Sequence, residues 1–171
     1  MVISPDIITG SKDSSKVLWD LLSQIPDPEI PVLSVVDLGI VRDIIIHADH
    51  LIEIIITPTY SGCPAMDAIT MNIRLAMIAN GYKNFKITSR LSPAWTTDWM
   101  TDDGKNNLKA YGIAPPVGKS YDFESLNSLE IKCPQCNSSN TKLLSEFGST
   151  SCKALFQCND CKEPFDYFKC H

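Results

Sequence analysis

Ile54-Ile55-Ile56-Thr57-Pro58-Thr59-Tyr60-Ser61-Gly62-Cys63-Pro64-Ala65-Met66 reads as a strand, a tight turn and the opening of a helix. The isoleucine run has a strong strand preference, and its unbroken apolarity predicts burial on both faces. Pro64 suits the first helical position, where its missing N–H costs nothing. Met66, Ile69, Ile73 and Met77 give that helix an apolar stripe, and Gly81 is a suitable terminator. Upstream, Ile40 to His47 and His50 to Thr57 flank a short polar turn at Ala48-Asp49, which predicts a β-hairpin. Downstream, Asn84 to Leu91 predicts a third strand. These elements predict an α+β core of α/β-like character, a small mixed sheet with helices packed on it.

Further out, a helix is expected with Ser14 or Ser15 as its cap and Val17, Leu18, Leu21, Leu22 and Ile25 on one stripe. Pro26 and Pro28 stop it, leaving Asp27-Pro28-Glu29-Ile30-Pro31 as a rigid corner. Asp98 to Tyr111 predicts a weaker helix, and Pro115-Pro116 to Ser128 has the composition of a linker. The expected division is a flexible N-terminus at 1–13, the core at 14–114, a linker at 115–129 and a small β module at 130–171.

Charge excludes one class of partner. Fifteen acidic and ten basic side chains fall in residues 1–129, a balance of −5, while residues 130–171 carry five of each. Nothing here is a basic field for phosphates, so nucleic acid is not expected. No apolar stretch approaches the roughly 20 residues of a membrane span. The start Met1-Val2-Ile3-Ser4-Pro5-Asp6 lacks the basic and apolar regions of a signal peptide, so a cytoplasmic location without membrane contact is expected.

Seven cysteines in such a chain point to metal or thiol chemistry rather than disulfides. Cys133-Pro134-Gln135-Cys136 and Cys158-Asn159-Asp160-Cys161 are two knuckles that can turn four thiolates onto one tetrahedral ion. Forty residues are too few for an adequate core, so the ion would supply folding energy. Structural zinc is the expected occupant; the spacing alone leaves a rubredoxin-like iron site or an iron–sulfur cluster open. Leu143-Leu144 and Ala154-Leu155-Phe156 are expected to pack beneath the metal, and Lys132, Lys142, Lys153, Lys162 and Lys169 to offset its charge. Cys152 reads as a small buried hydrophobe, and Cys170-His171 as a frayed tail.

Cys63 lies between the predicted strand and helix, where free backbone N–H groups and the helix dipole favour a thiolate. Gly62 permits close approach of a ligand, and Thr57, Thr59 and Ser61 add hydroxyls. A reactive, metal-handling thiol and an inert buried cysteine at a helix start are both open readings. Asp27, Glu29 and Asp37 are candidate ligands, though capping and turn formation also account for Asp27 and Asp37. His47 and His50 are expected to face solvent, and Trp95 and Trp99 read as core anchors.

Several stretches together resemble the domain of SufT-like and cytosolic iron–sulfur targeting proteins. They are Leu18-Trp19-Asp20-Leu21-Leu22, Ile25 to Pro31, Val35 to Val41, and Thr57 to Pro64 with its central cysteine. The fusion to a four-cysteine ribbon, with Phe147-Gly148-Ser149-Thr150, Cys152-Lys153-Ala154-Leu155 and the ending Phe168-Lys169-Cys170-His171, is similar to the PaaD family of phenylacetate degradation. That resemblance implies an accessory or maturation protein of the multicomponent phenylacetyl-CoA ring-1,2-epoxidase, aiding assembly of iron–sulfur or di-iron centres. Its partners would be the oxygenase or reductase subunits. Cys63 would be the reactive thiol, with Thr57, Thr59, Gly62, Asp27 and Glu29 around it, handling transient iron or an iron–sulfur cluster. The ribbon would hold zinc. A structural subunit of the same complex and an independent thiol enzyme are the alternatives. The chain shows no nucleotide loop, dinucleotide fingerprint, Glu-x-x-His pair or ferredoxin spacing that would let it act as oxygenase or reductase.

Overall fold

The computed structural model describes residues 12–117 and 123–169. These form helices and two small sheets, divided into two compact units between Trp95 and Thr96.

In the first unit, α1 (Lys12–Leu22) buries Leu18 and Leu22, while Val17 is 42% exposed. The helix is already formed at Lys12, so the serines at 14 and 15 lie inside it rather than at its cap. Residues 1–11, most of the expected flexible segment, lie outside the described residues. After Pro26 the backbone is laced to itself, and Val41 N–H at the start of the next strand donates to Val35 O at 3.2 Å. Asp27 N–H donates to Leu33 O at 2.8 Å, Val35 N–H to Ile25 O at 3.0 Å, and Ile40 N–H to Val35 O at 3.0 Å. The hairpin of β1 (Val41–Ile46) and β2 (Ile52–Ile56) sets Ile44 opposite Ile54 and Ile46 opposite Ile52, with an irregularity between Val41 and Asp43.

The crossover helix α2 (Ala65–Ala79) buries Ala65, Ile69, Ile73 and Met77 and returns the chain to β3 (Phe85–Ser89), parallel to β2. The sheet order is β1-β2-β3. β2 is central, and Ile54, Ile55 and Ile56 are all buried, as a strand covered on both faces requires. β1 at the edge is covered on one face only: Ile44 is buried and Ile45 is 37% exposed. Trp95 closes the unit, its indole donating to Leu38 O at 2.8 Å from a buried position.

The second unit opens with a 3-10 turn, Thr97–Trp99. It is followed by α3 (Asp102–Tyr111), capped by Thr101, whose hydroxyl accepts the Gly104 N–H at 2.9 Å. Gly112 ends α3 with φ 94°. A short α4 (Phe123–Ser128) precedes an antiparallel sheet of order β4-β5-β6, formed by β4 (Thr141–Ser145), β5 (Lys153–Cys158) and β6 (Pro164–Phe168). Phe156 stacks on Phe165 at 6.0 Å between centroids and meets Tyr167 edge-on at 5.7 Å.

The unit boundary at 95/96 differs from the expected domain ends at 114 and 130. Ala114 adds itself to β6: its N–H donates to Asp166 O at 2.8 Å, and Phe168 N–H donates to Ala114 O at 2.9 Å. Tyr167 hydroxyl reaches Val117 O at 3.1 Å. Within the expected linker, Leu126 on α4 joins the ribbon core with Ala114, Ile131, Ala154 and Phe156. A segment rich in Pro, Gly and Ser therefore completes a core too small to stand alone.

Candidate functional site: the Cys63 turn and a four-cysteine centre

The Cys63 turn hangs from the C-terminal end of β2. Thr57 is buried and its N–H donates to Ile40 O at 2.9 Å, which ties the turn to the Asp27–Ile40 corner. Pro58, Thr59 and Tyr60 are half-buried. Cys63 N–H donates to Tyr60 O at 3.3 Å, closing a tight turn in which Gly62 sits at φ 81°. A Cβ added at Gly62 would meet no atom within 4 Å. The glycine thus serves backbone conformation, and open space lies beside Cys63. Cys63 is half-buried, not sealed in the core. Pro64 takes the cap position of α2 and its own side chain makes no capping hydrogen bond. Both features suit an approachable sulfur beside the positive end of a helix dipole.

The acidic candidates have local work. Asp27 is buried, and its Oδ1 accepts the N–H groups of Glu29 at 2.9 Å and Ile30 at 2.8 Å. Asp37 Oδ2 accepts from the Ser34 hydroxyl at 2.7 Å, whose oxygen in turn accepts the Asp37 N–H at 2.9 Å. Asp27 and Asp37 therefore shape the corner, and Glu29 lies half-buried beside it. Among the described residues, Asp27, Glu29 and Cys63 do not gather into a three-ligand metal cluster. His47 bonds Glu53 at 2.8 Å and His50 lies in the hairpin turn, at the far end of β2 from Cys63. A five-residue strand spans about 17 Å, so neither is placed as a base for that thiol.

The second site lies in the other unit. Cys133, Cys136, Cys158 and Cys161 bring their sulfurs within 4.8 Å of one another, the one such cluster among the described residues. Cys133 Sγ is 3.7 Å from Cys161 Sγ, and Cys136 Sγ is 3.6 Å from Cys158 Sγ. A zinc–sulfur bond of about 2.3 Å gives tetrahedral edges of about 3.8 Å, so the cage fits one such ion. It is far wider than a disulfide, whose bond is about 2.05 Å. Each knuckle ends in a left-handed residue, Asn137 at φ 59° and Lys162 at φ 68°. The Cys161 amide, donating to sulfur, draws the Cys158 thiol down to about 7 against the effect of burial. The Cys161 thiol accepts the Glu163 amide, yet burial and its three thiol neighbours push it up to about 12. Four thiols this close cannot all ionise without a cation, so the site calls for metal.

Polar side chains clamp the knuckles together, which residue spacing did not reveal. Asp160, inside the second knuckle, accepts from the Ser138 hydroxyl and from Asn140 Nδ2, the latter at 2.8 Å; Asn159 Nδ2 donates to Asn140 Oδ1 at 2.9 Å. The only legible signal was the density of Asn, Ser and Asp around both Cys-x-x-Cys pairs. Of the lysines expected to offset the metal's charge, Lys153 and Lys169 are buried in other contacts. Lys153 faces Asp166 at 3.8 Å, and Lys169 lies 4.4 Å over the Phe147 ring. Lys162 stays at the second knuckle, donating to Asn159 O. Phe156 and Ala154 are in the core as expected, whereas Leu144 is 47% exposed. Cys152 is buried, its sulfur 3.0 Å from Thr150 Oγ1; Cys170 and His171 lie outside the described residues. Among the described residues no helix is long and apolar enough to cross a membrane.

Fold and site define a class: a small α+β domain with a cysteine at its strand–helix turn, carried with a four-cysteine β-ribbon. Residues 16–81 match the family described as "Iron-sulfur cluster assembly protein", and residues 119–169 match "PaaD zinc beta ribbon domain". An Escherichia coli (strain K12) protein, provisionally named as one of the subunits of 1,2-phenylacetyl-CoA epoxidase, is 53% identical over 153 residues, 90% of this chain and 91% of the relative. The chain belongs to the PaaD family. An Fe-S protein maturation auxiliary factor of Porphyromonas gingivalis (strain ATCC BAA-308 / W83) is 34% identical over 89 residues, 52% of this chain and 84% of the relative. The crystal structure of a domain of unknown function, DUF59, from Bacillus anthracis has a similar fold, with TM-score 0.51 and 24% identity over 55% of this chain and 90% of that one.

Proposed function

We propose that this protein is an accessory factor of a phenylacetyl-CoA epoxidase that helps assemble the metal centres of the oxygenase or reductase, and that Cys63 is the thiol that handles the iron. The observation that carries this reading is Cys63 itself. It is half-buried beside open space at a helix start whose cap position is a proline, inside the segment that matches an iron–sulfur cluster assembly family. A thiolate at such an end is a good ligand for iron, and a half-open position lets the metal move on to a client. Thr57 and Gly62 hold the turn, Thr59 lines it, and Asp27 and Glu29 support it from the corner. The ribbon, a closed four-sulfur site with no open coordination position, carries zinc and serves as a scaffold for docking.

The test is a producing cell whose only copy of this protein carries Cys63→Ser. The purified oxygenase and reductase are expected to contain less iron than those from wild-type cells, with lower epoxidase activity. Full iron occupancy and normal activity would remove Cys63 from any role in iron handling. Stoichiometric co-purification of the variant with a fully loaded complex would make this protein a structural subunit instead.

A further inference from the structure

Helix α2 is apolar on both sides. Its buried stripe is Ala65, Ile69, Ile73 and Met77. On the outward side Met71, Leu75 and Ile78 are 55%, 58% and 62% exposed. Their i, i+4, i+7 spacing makes one continuous stripe, which exposed Ala68 and Pro64 extend toward the helix start. A stripe of this kind is what helices present to partner helices. One flank of it carries Asp67 and Arg74, both exposed and seven residues apart, hence on the same side.

We propose that α2 packs antiparallel against α2 of a second copy of this chain, about a two-fold axis at Met71. An isologous contact must be complementary to itself, and this face is so in two independent respects. Centring the pair on Met71 sets that residue against its own copy, Pro64 against Ile78, and Ala68 within one residue of Leu75. The small Ala68 thus meets the large Leu75, so the outer layers interdigitate without clash. The same centring brings Asp67 level, to within one residue, with the second copy's Arg74. A two-fold axis across an antiparallel pair keeps equal flanks on equal sides, so opposite charges meet twice. In a parallel pair the charged flanks would point away from each other. The second copy's Ile78 covers Pro64 and forms a wall beside each Cys63 turn, and the two turns lie at opposite ends of the helix pair. One helix pair covers less than the roughly 800 Å² per partner of a standard interface, so association is reversible.

Sedimentation of the full, metal-loaded chain over a wide concentration range tests this. The mass is expected to climb from one chain toward two. Leu75→Glu should weaken association by about tenfold or more, as the loss of a central apolar contact does. Asp67→Arg alone and Arg74→Asp alone should each weaken it, and the double variant should restore it, with circular dichroism unchanged throughout. A one-chain mass at every concentration would overturn the proposal. So would a two-chain mass indifferent to Leu75→Glu, or a double variant no better than the singles. A chain that stays single but binds epoxidase subunits through Leu75 would give the face to a client and equally refute self-pairing.

Discussion

At the scale of single residues, the corner tied to the Cys63 turn is held by a buried carboxylate. Asp27 holds the corner through two backbone N–H bonds and is buried, so its carboxylate acts on the fold. Asp27→Ala should lower unfolding free energy by about 1–3 kcal/mol, because buried N–H groups lose their acceptor. Asp27→Asn keeps that oxygen and should recover most of the loss; denaturant titration of both variants checks this. An Asn variant as unstable as Ala would mean that the negative charge, not the acceptor, is what the corner needs. The sequence carries Asp27, Glu29 and Asp37 as three close carboxylates, and only coordinates distinguish ligands from turn makers. Asp27 and Asp37 turn out to face neighbouring amides three or fewer residues away. Such local bonds are cheap in sequence terms and resemble any acidic cluster until geometry is known.

At the scale of elements, the sheet carries an electrostatic seam. Glu53 on β2 bonds Thr88 at 2.7 Å, His47 at 2.8 Å and Lys86 at 3.0 Å, so groups on or beside all three strands meet on one carboxylate. The Thr88 hydroxyl first, then His47 and Lys86, pull its pKa from 4.5 down to about 2. A depressed carboxylate pKa stabilises the fold fully above the unfolded value and loses that effect as pH falls through the folded one. Stability should therefore decline as pH drops from about 4.5 toward about 2, and Glu53→Gln should flatten the curve in that window. An unchanged curve in the variant would show that the seam contributes nothing to the pH dependence. β2 and α2 were legible because isoleucine runs and i, i+4 stripes report burial directly. The start of α1 was not, since Ser14 and Ser15 look like caps and residues 1–11 offer no competing signal. Edge position was also invisible: β1 and β2 have similar isoleucine runs, yet only pairing order decides that Ile45 is exposed and Ile55 is not.

At the scale of the whole molecule, the chain is two compact units, the first holding Cys63 and the second the four-cysteine cluster. The four ribbon cysteines were fully legible from spacing. The unit boundary was not, because Ala114 and Leu126 join the ribbon core through pairing and burial that linker-like composition conceals. Chelating the metal should abolish the dispersed amide signals of residues 96–169 while those of residues 12–95 persist, and lowering the pH should promote metal loss, since protons compete for the thiolates. Uniform persistence of both sets would show the ribbon core to be self-sufficient. Whether Cys63 handles iron separately from the ribbon ion is decided by anaerobic loading with ferrous iron and sulfide, followed by metal analysis and absorbance of wild type and Cys63→Ser. One zinc ion per chain is expected in both proteins, with iron and its visible absorbance retained by the wild type alone. Equal iron retention in the two proteins, or iron that displaces the zinc and leaves the Cys63 turn empty, would refute a separate iron-handling thiol.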